Sequence, residues 1–90
     1  MKNLKEDFKS GKTTIVDVRT VAEFNGGHVE GSINIPLQEV PKRLEEIRKL
    51  ENVVLCCASG GRSAQAKLYL SQQGIPCKDA GSWLNVKSLC

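Results

Sequence analysis

The stretch Val53-Val54-Leu55-Cys56-Cys57-Ala58-Ser59-Gly60-Gly61-Arg62-Ser63-Ala64 passes from an unbroken apolar run, through small residues, into a sequence suited to a helix. Residues 53–56 lack any polar alternation, which marks a strand buried on both faces, the central one of its sheet. Ser59-Gly60-Gly61 forms a turn, and residues 62–73 follow as a helix that ends at Gly74. In an open parallel sheet, ligands gather beyond the carboxyl ends of the strands, where such a turn lies. Small residues let successive backbone N–H groups curl inward as an anion-binding nest. The helix opening near Gly61 adds unsatisfied N–H groups and the positive end of its dipole.

Outward from this segment, helical and strand periods alternate. Residues 4–9 read as a short helix closed at Ser10-Gly11, and residues 13–18 as a β-branched buried strand. Thr20 caps a short helix through Phe24, with Glu23 at the capping-box position and Gly26-Gly27 at its end. Residues 32–35 form a strand stopped by Pro36. Val40, Leu44 and Ile47 repeat at helical spacing, with Pro41 suited to a first turn, so residues 41–50 are expected as an amphipathic helix. Residues 75–78 read as the last strand, and Gly81 opens a final helical segment over residues 83–86. Strands separated by helices imply an α/β fold: a single three-layer domain over residues 1–90, with a small central parallel sheet flanked by helices.

The bulk numbers narrow the function. Ninety residues, 40% hydrophobic and 26% charged, describe an ordinary globular domain. The net charge of +3 is spread over Lys2, Lys12, Lys42, Lys49 and Lys87 with no basic stripe, so nucleic acid is not an expected partner. The longest apolar run, residues 53–58, is too short to cross a bilayer, and Met1-Lys2-Asn3-Leu4-Lys5 lacks the apolar core of an export signal. No membrane partner is expected. The four cysteines are unevenly spaced, without a C-x-x-C pair, which fits neither a disulfide framework nor a structural zinc site. A reducing cytoplasm and at least one free reactive thiol follow. A processed periplasmic form carrying a new Met1 would read the same.

That thiol is assigned to Cys57. A cysteine at the mouth of an amide nest has its pKa lowered and exists partly as thiolate. Backbone donors from Ala58, Ser59, Gly60, Gly61, Arg62 and Ser63 would hold an anionic sulfur, and Arg62 adds a positive charge for an incoming anion. Cys56 is expected to be buried, a small hydrophobe beneath the loop.

The pattern resembles the rhodanese family over nearly the whole chain. Cys57, Gly60, Arg62-Ser63 and Ala66 match the spacing of its single-domain members. A second signature precedes it: Asp17-Val18-Arg19, Glu23-Phe24, Gly27-His28-Val29-Glu30-Gly31-Ser32 and Asn34-Ile35-Pro36. Gly81 and Trp83 match a third family feature near the C-terminal end. The resemblance implies a thiosulfate sulfurtransferase with a two-step cycle. Cys57 takes the outer sulfur of thiosulfate or a related small anionic donor as a persulfide, and cyanide or a thiol then removes it. Neither metal nor organic cofactor is implied, and a protein donor or acceptor is compatible. Asp17 and Arg19 are expected near the loop, supporting the site or forming a structural ion pair, the preferred reading. His28 and Glu23 are expected to be structural, and Trp83 a pocket wall or core residue. Two departures stand out. Ala58 occupies a position that is basic or polar in many thiosulfate-using relatives, which points away from thiosulfate as physiological donor. The N-terminus also lacks the family's usual first strand, leaving the sheet one strand short.

Two rivals remain open at this level. A phosphatase or arsenate reductase would use the frame Cys56-x5-Arg62. A non-enzymatic module would carry a persulfide or dock to a partner.

Overall fold

The computed structural model of the protein describes residues 11–89, in which strands and helices alternate. β1 (Thr14–Asp17) is followed by α1 (Val21–Asn25) and β2 (Ile33–Asn34). A 3-10 helix (Leu37–Arg43) then runs into α2 (Leu44–Arg48), and β3 (Val53–Cys57), α3 (Gly61–Gln72), β4 (Lys78–Ser82) and α4 (Trp83–Leu89) complete the order. The helix expected over residues 4–9 lies outside the described residues. Among the described residues no helix is long and apolar enough to cross a membrane.

The four strands form one parallel sheet in the order β2-β1-β3-β4. β3 therefore sits between two neighbours, which is why Val53, Val54, Leu55, Cys56 and Cys57 are all buried. Alternation along β1 and β3 divides the core in two. Val16, Val18, Val53, Leu55 and Cys57 face one side, beneath Val40 of the 3-10 helix, Ile47 of α2, and Ala66 and Leu70 of α3. Ile15 and Cys56 face the other, against Val29, Val86 of α4 and the half-buried Trp83. Each fully buried aliphatic side chain contributes roughly 1.5–3 kcal/mol, so this two-sided burial fixes the register of β3.

Two expected elements are corrected. The helix expected over residues 41–50 begins earlier as a 3-10 helix with Pro41 inside it, and becomes α-helical only at Leu44. Proline has no N–H for an α-helical bond and its ring crowds the carbonyl four residues before, so the tighter turn carries the chain through. The last strand is Lys78–Ser82 rather than residues 75–78. The buried Ile75 instead closes α3, its N–H donating to the Leu70 carbonyl at 2.9 Å after the left-handed Gly74. Pro76 then lacks an amide for a sheet ladder, so pairing starts two residues later.

Candidate functional site

Cys57 is the last residue of β3, and α3 begins four residues later. The intervening turn hinges on Gly60, whose φ of +111° is a conformation that side chains rarely adopt. That geometry turns the Gly60 N–H onto Cys57 Sγ at 2.9 Å. The thiol lies 3.5 Å from Ser63 Oγ, and the Ser63 hydroxyl donates to the Gly60 carbonyl at 3.1 Å, bracing the loop across the sulfur. Burial by itself would push the Cys57 pKa up. The Ser63 hydroxyl and the amides of Ser63, Gly60 and Ser59 together outweigh burial and bring it below the ordinary thiol value. The side chain is only 1% exposed: the sulfur is the floor of the loop, where the sequence placed it at the mouth.

Cys56 experiences the opposite chemistry one residue away. It points to the other face of the sheet, fully buried, and burial pushes its thiol up to about 12, with the Asp17 carboxylate adding to the rise and Arg19 opposing it. Asp17 is the register partner of Cys56 on β1. Its carboxylate accepts from Arg19 Nε at 3.0 Å and Nη2 at 2.7 Å, and Arg19 Nη2 also donates to the Gly27 carbonyl at 2.7 Å. The guanidinium stacks over Trp83, 4.6 Å from the ring centroid. Asp17 and Arg19 thus form a buried, bidentate ion pair tying β1 to α4 on the Cys56 side. This is the arrangement of a structural pair, and Trp83 is its lid.

Arg62, the first full turn of α3, reaches across to α1. Its Nη1 and Nη2 donate to Glu23 Oε1 and Oε2 at 2.6 and 2.9 Å. Glu23 also closes the capping box: Oε1 accepts the Thr20 N–H at 3.1 Å while Thr20 Oγ1 accepts the Glu23 N–H at 3.2 Å. Arg62 first, and the Thr20 amide second, hold the Glu23 carboxyl down at about 2. Sequence reasoning found Glu23 as a capping residue and missed its partner, because Arg62 lies 39 positions away and no local pattern links them. His28 is exposed, its Nδ1 donating to the Phe24 carbonyl at 2.9 Å while its ring stacks on Phe24. It does not face the loop sulfur.

Of the residues expected at the site, Ser59, Gly60 and Ser63 converge on Cys57, whereas Arg62 turns its charge to Glu23. A cleft of about 450 Å³ runs beside Arg62 between the 3-10 helix and α3, with Val18, Val40, Ala66 and Tyr69 among its lining. A second, of about 340 Å³, holds the half-buried Cys77 at the amino-terminal end of β3 and β4, away from the loop. Among the described residues no group of three or more His, Cys, Asp or Glu side chains is placed to hold a metal ion.

The family model described as a rhodanese-like domain matches residues 1–86. A sulfurtransferase of Allochromatium vinosum is 45% identical over 60 residues, covering 67% of this chain and 56% of that protein. The thiosulfate sulfurtransferase PspE of Escherichia coli is 41% identical over 61 residues, covering 66% of this chain and 59% of its own. The chain therefore spans about three fifths of the length of these curated relatives. Among solved structures, a rhodanese-related protein from Thermoplasma volcanium matches with a TM-score of 0.79 and 32% identity, over 94% of this chain and 83% of that one.

Proposed function

This chain belongs to the rhodanese-like domain family, and on that premise we propose that it is a sulfurtransferase working through a persulfide on Cys57, with residues 1–90 acting as one domain. The observation that carries the reading is the 2.9 Å contact from the Gly60 amide to Cys57 Sγ, reinforced by Ser63. A sulfur held by several N–H donors, with the Ser63 hydroxyl able to turn from the Gly60 carbonyl to the sulfur once it is ionised, is stabilised as an anion, which is the form that attacks and the form that the product persulfide takes.

The cycle balances without an external oxidant. The Cys57 thiolate attacks the outer sulfur of thiosulfate; the Cys57 S–S bond forms, the S–S bond of thiosulfate breaks, and sulfite leaves with its electron pair. Cyanide or a thiol then attacks the outer sulfur of the persulfide and returns Cys57 as thiolate. The outer sulfur stands about 2 Å beyond Sγ, which places it among the loop amides. Because Cys57 is 1% exposed, a donor has to push a protruding terminal sulfur into the ring of amides to reach it. The substrate-contacting groups in this reading are the backbone of Ala58, Ser59, Gly60, Gly61, Arg62 and Ser63, with the Ser63 hydroxyl. Asp17 and Arg19 support the site at a distance by anchoring the strand beside β3. A reducing cytoplasm, which returns Cys57 to a free thiol, suits the cycle.

A phosphatase loop opening at Cys56 is disfavoured by the same geometry. Cys56 lies on the opposite face of β3 from the nest, beside a carboxylate, and with a raised pKa it is a poor nucleophile.

Intact-mass measurement after incubation with thiosulfate tests the proposal. Wild type and Cys56→Ser are expected to gain one sulfur atom that cyanide removes as thiocyanate; Cys57→Ser is expected to gain none. Sulfur retained by Cys57→Ser, or a wild type that takes up no sulfur from thiosulfate or a small persulfide, would overturn it.

A further inference from the structure

We infer that Glu23, through its hold on Arg62, sets the charge of the donor that the Cys57 loop accepts, favouring thiol-borne persulfides over thiosulfate. The inference rests on the sulfurtransferase reading above. Between Cys57 and Ser63 the sequence carries a single cation, Arg62, because Ala58 follows the cysteine. Both arms of that guanidinium are committed to Glu23, at 2.6 and 2.9 Å. The carboxylate is itself fixed, since the Thr20 N–H and hydroxyl both donate to Oε1 at 3.1 Å. The pair joins α1, which follows β1, to α3, which follows β3, so it sits at the carboxyl ends of the strands with the loop. Both side chains are about one-third exposed (35% and 36%), so solvent screens the pair only in part. Arg19 offers no substitute, being bonded to Asp17 and the Gly27 carbonyl on the other face.

The loop therefore meets a donor with amide dipoles and no uncompensated cation. Amides suit one anionic sulfur, the persulfide product itself. Thiosulfate brings two negative charges to a thiolate that already carries one, and nothing in the loop offsets the sulfonate. The persulfide group of R–S–SH brings at most one negative charge, and none in the neutral form that the thiolate attacks. The Cys57 thiolate attacks its outer sulfur, the Cys57 S–S bond forms, the donor S–S bond breaks, and R–S leaves with the electron pair and takes the proton from the outer sulfur as a thiol. Among the described residues the Glu23 carboxylate bonds to Arg62 and to Thr20 of the α1 cap, which makes it a positioning residue.

Steady-state kinetics of Glu23→Gln, Arg62→Gln and the double variant, with thiosulfate and with cysteine persulfide as donors, test this. Glutamine keeps an oxygen for Thr20 and loses the charge that engages Arg62. Glu23→Gln is expected to lower KM for thiosulfate about fivefold, with kcat nearly unchanged, a steeper salt dependence and no matching gain for the persulfide. The double variant is expected to lose the gain. Arg62→Gln alone leaves Glu23 uncompensated and is expected to shift the thiosulfate-to-persulfide preference the opposite way, which keeps the inference testable if Glu23→Gln fails to fold. Equal shifts for both donors, no shift, or a gain that survives in the double variant would overturn it. If wild-type Cys57 takes sulfur from neither donor, the sulfurtransferase reading itself fails; if sulfur loads and only the preference stays fixed, this inference alone fails.

Discussion

Cys56 and Cys57 are neighbours on one strand, equally hidden from solvent, and chemically opposed. Cys56 is 0% exposed and Cys57 1%, yet the first thiol is pushed up to about 12 and the second falls below the ordinary value. Burial acts against the thiolate in both. The difference is what each sulfur faces: the Asp17–Arg19 pair and apolar α4 on one side, and the amides of Ser59, Gly60 and Ser63 on the other. In this fold, donors decide reactivity and exposure does not.

The most severe way to break that contrast is to exchange the roles of the two sulfurs. Cys57→Ser is expected to remove sulfur transfer to cyanide by at least roughly a thousandfold, as loss of a covalent nucleophile does, while Cys56→Ser retains transfer. Thiocyanate formation reads both. Next in size, Asp17→Ala leaves Arg19 buried without its counter-charge and is expected to lower stability by about 3–5 kcal/mol, read by chemical denaturation. Since Asp17 raises and Arg19 lowers the Cys56 pKa, the same variant should bring the Cys56 titration down towards Cys57.

Ser63→Ala tests the other face. It removes the hydroxyl that helps bring down the Cys57 pKa and leaves the Gly60 carbonyl without that donor. We expect sulfur loading at neutral pH to slow severalfold, with the inflection of the pH–rate profile moving up. The sign follows from the wild-type shift: a lowered Cys57 pKa makes loading rise with pH and level off below the ordinary thiol value. A profile unmoved by Ser63→Ala would remove the hydroxyl from the account. Smallest of all, Cys56→Ala is expected to lower stability by roughly 1 kcal/mol through lost packing, with transfer unchanged.

Much of this was legible in the chain. The apolar residues 53–56 followed by Ser59-Gly60-Gly61 identify strand, turn and helix, because burial on two faces and a run of small residues leave few other structures. The capping box at Thr20 and Glu23 was equally plain. Three features were not. The 3-10 helix arises from Pro41 overriding a helical apolar period, and the start of β4 from Ile75 being drawn into the α3 cap. The Glu23–Arg62 pair depends on the first turns of α1 and α3 meeting above the sheet, a contact for which no spacing rule exists. The alternation of β3 does separate Cys56 from Cys57, but only the position of α3 says which face carries the nest.

The central claim is that the loop amides favour the thiolate of Cys57 while burial disfavours that of Cys56. Titration of the far-ultraviolet thiolate absorbance, wild type minus Cys57→Ser and wild type minus Cys56→Ser, measures it without requiring a reagent to reach either sulfur. The account predicts that the first difference shows one ionisation below that of an ordinary thiol, such as a free cysteine peptide titrated alongside, and that the second stays flat until strongly alkaline pH. An ionisation at or above that ordinary value in the first difference, or the same midpoint in both, would contradict it.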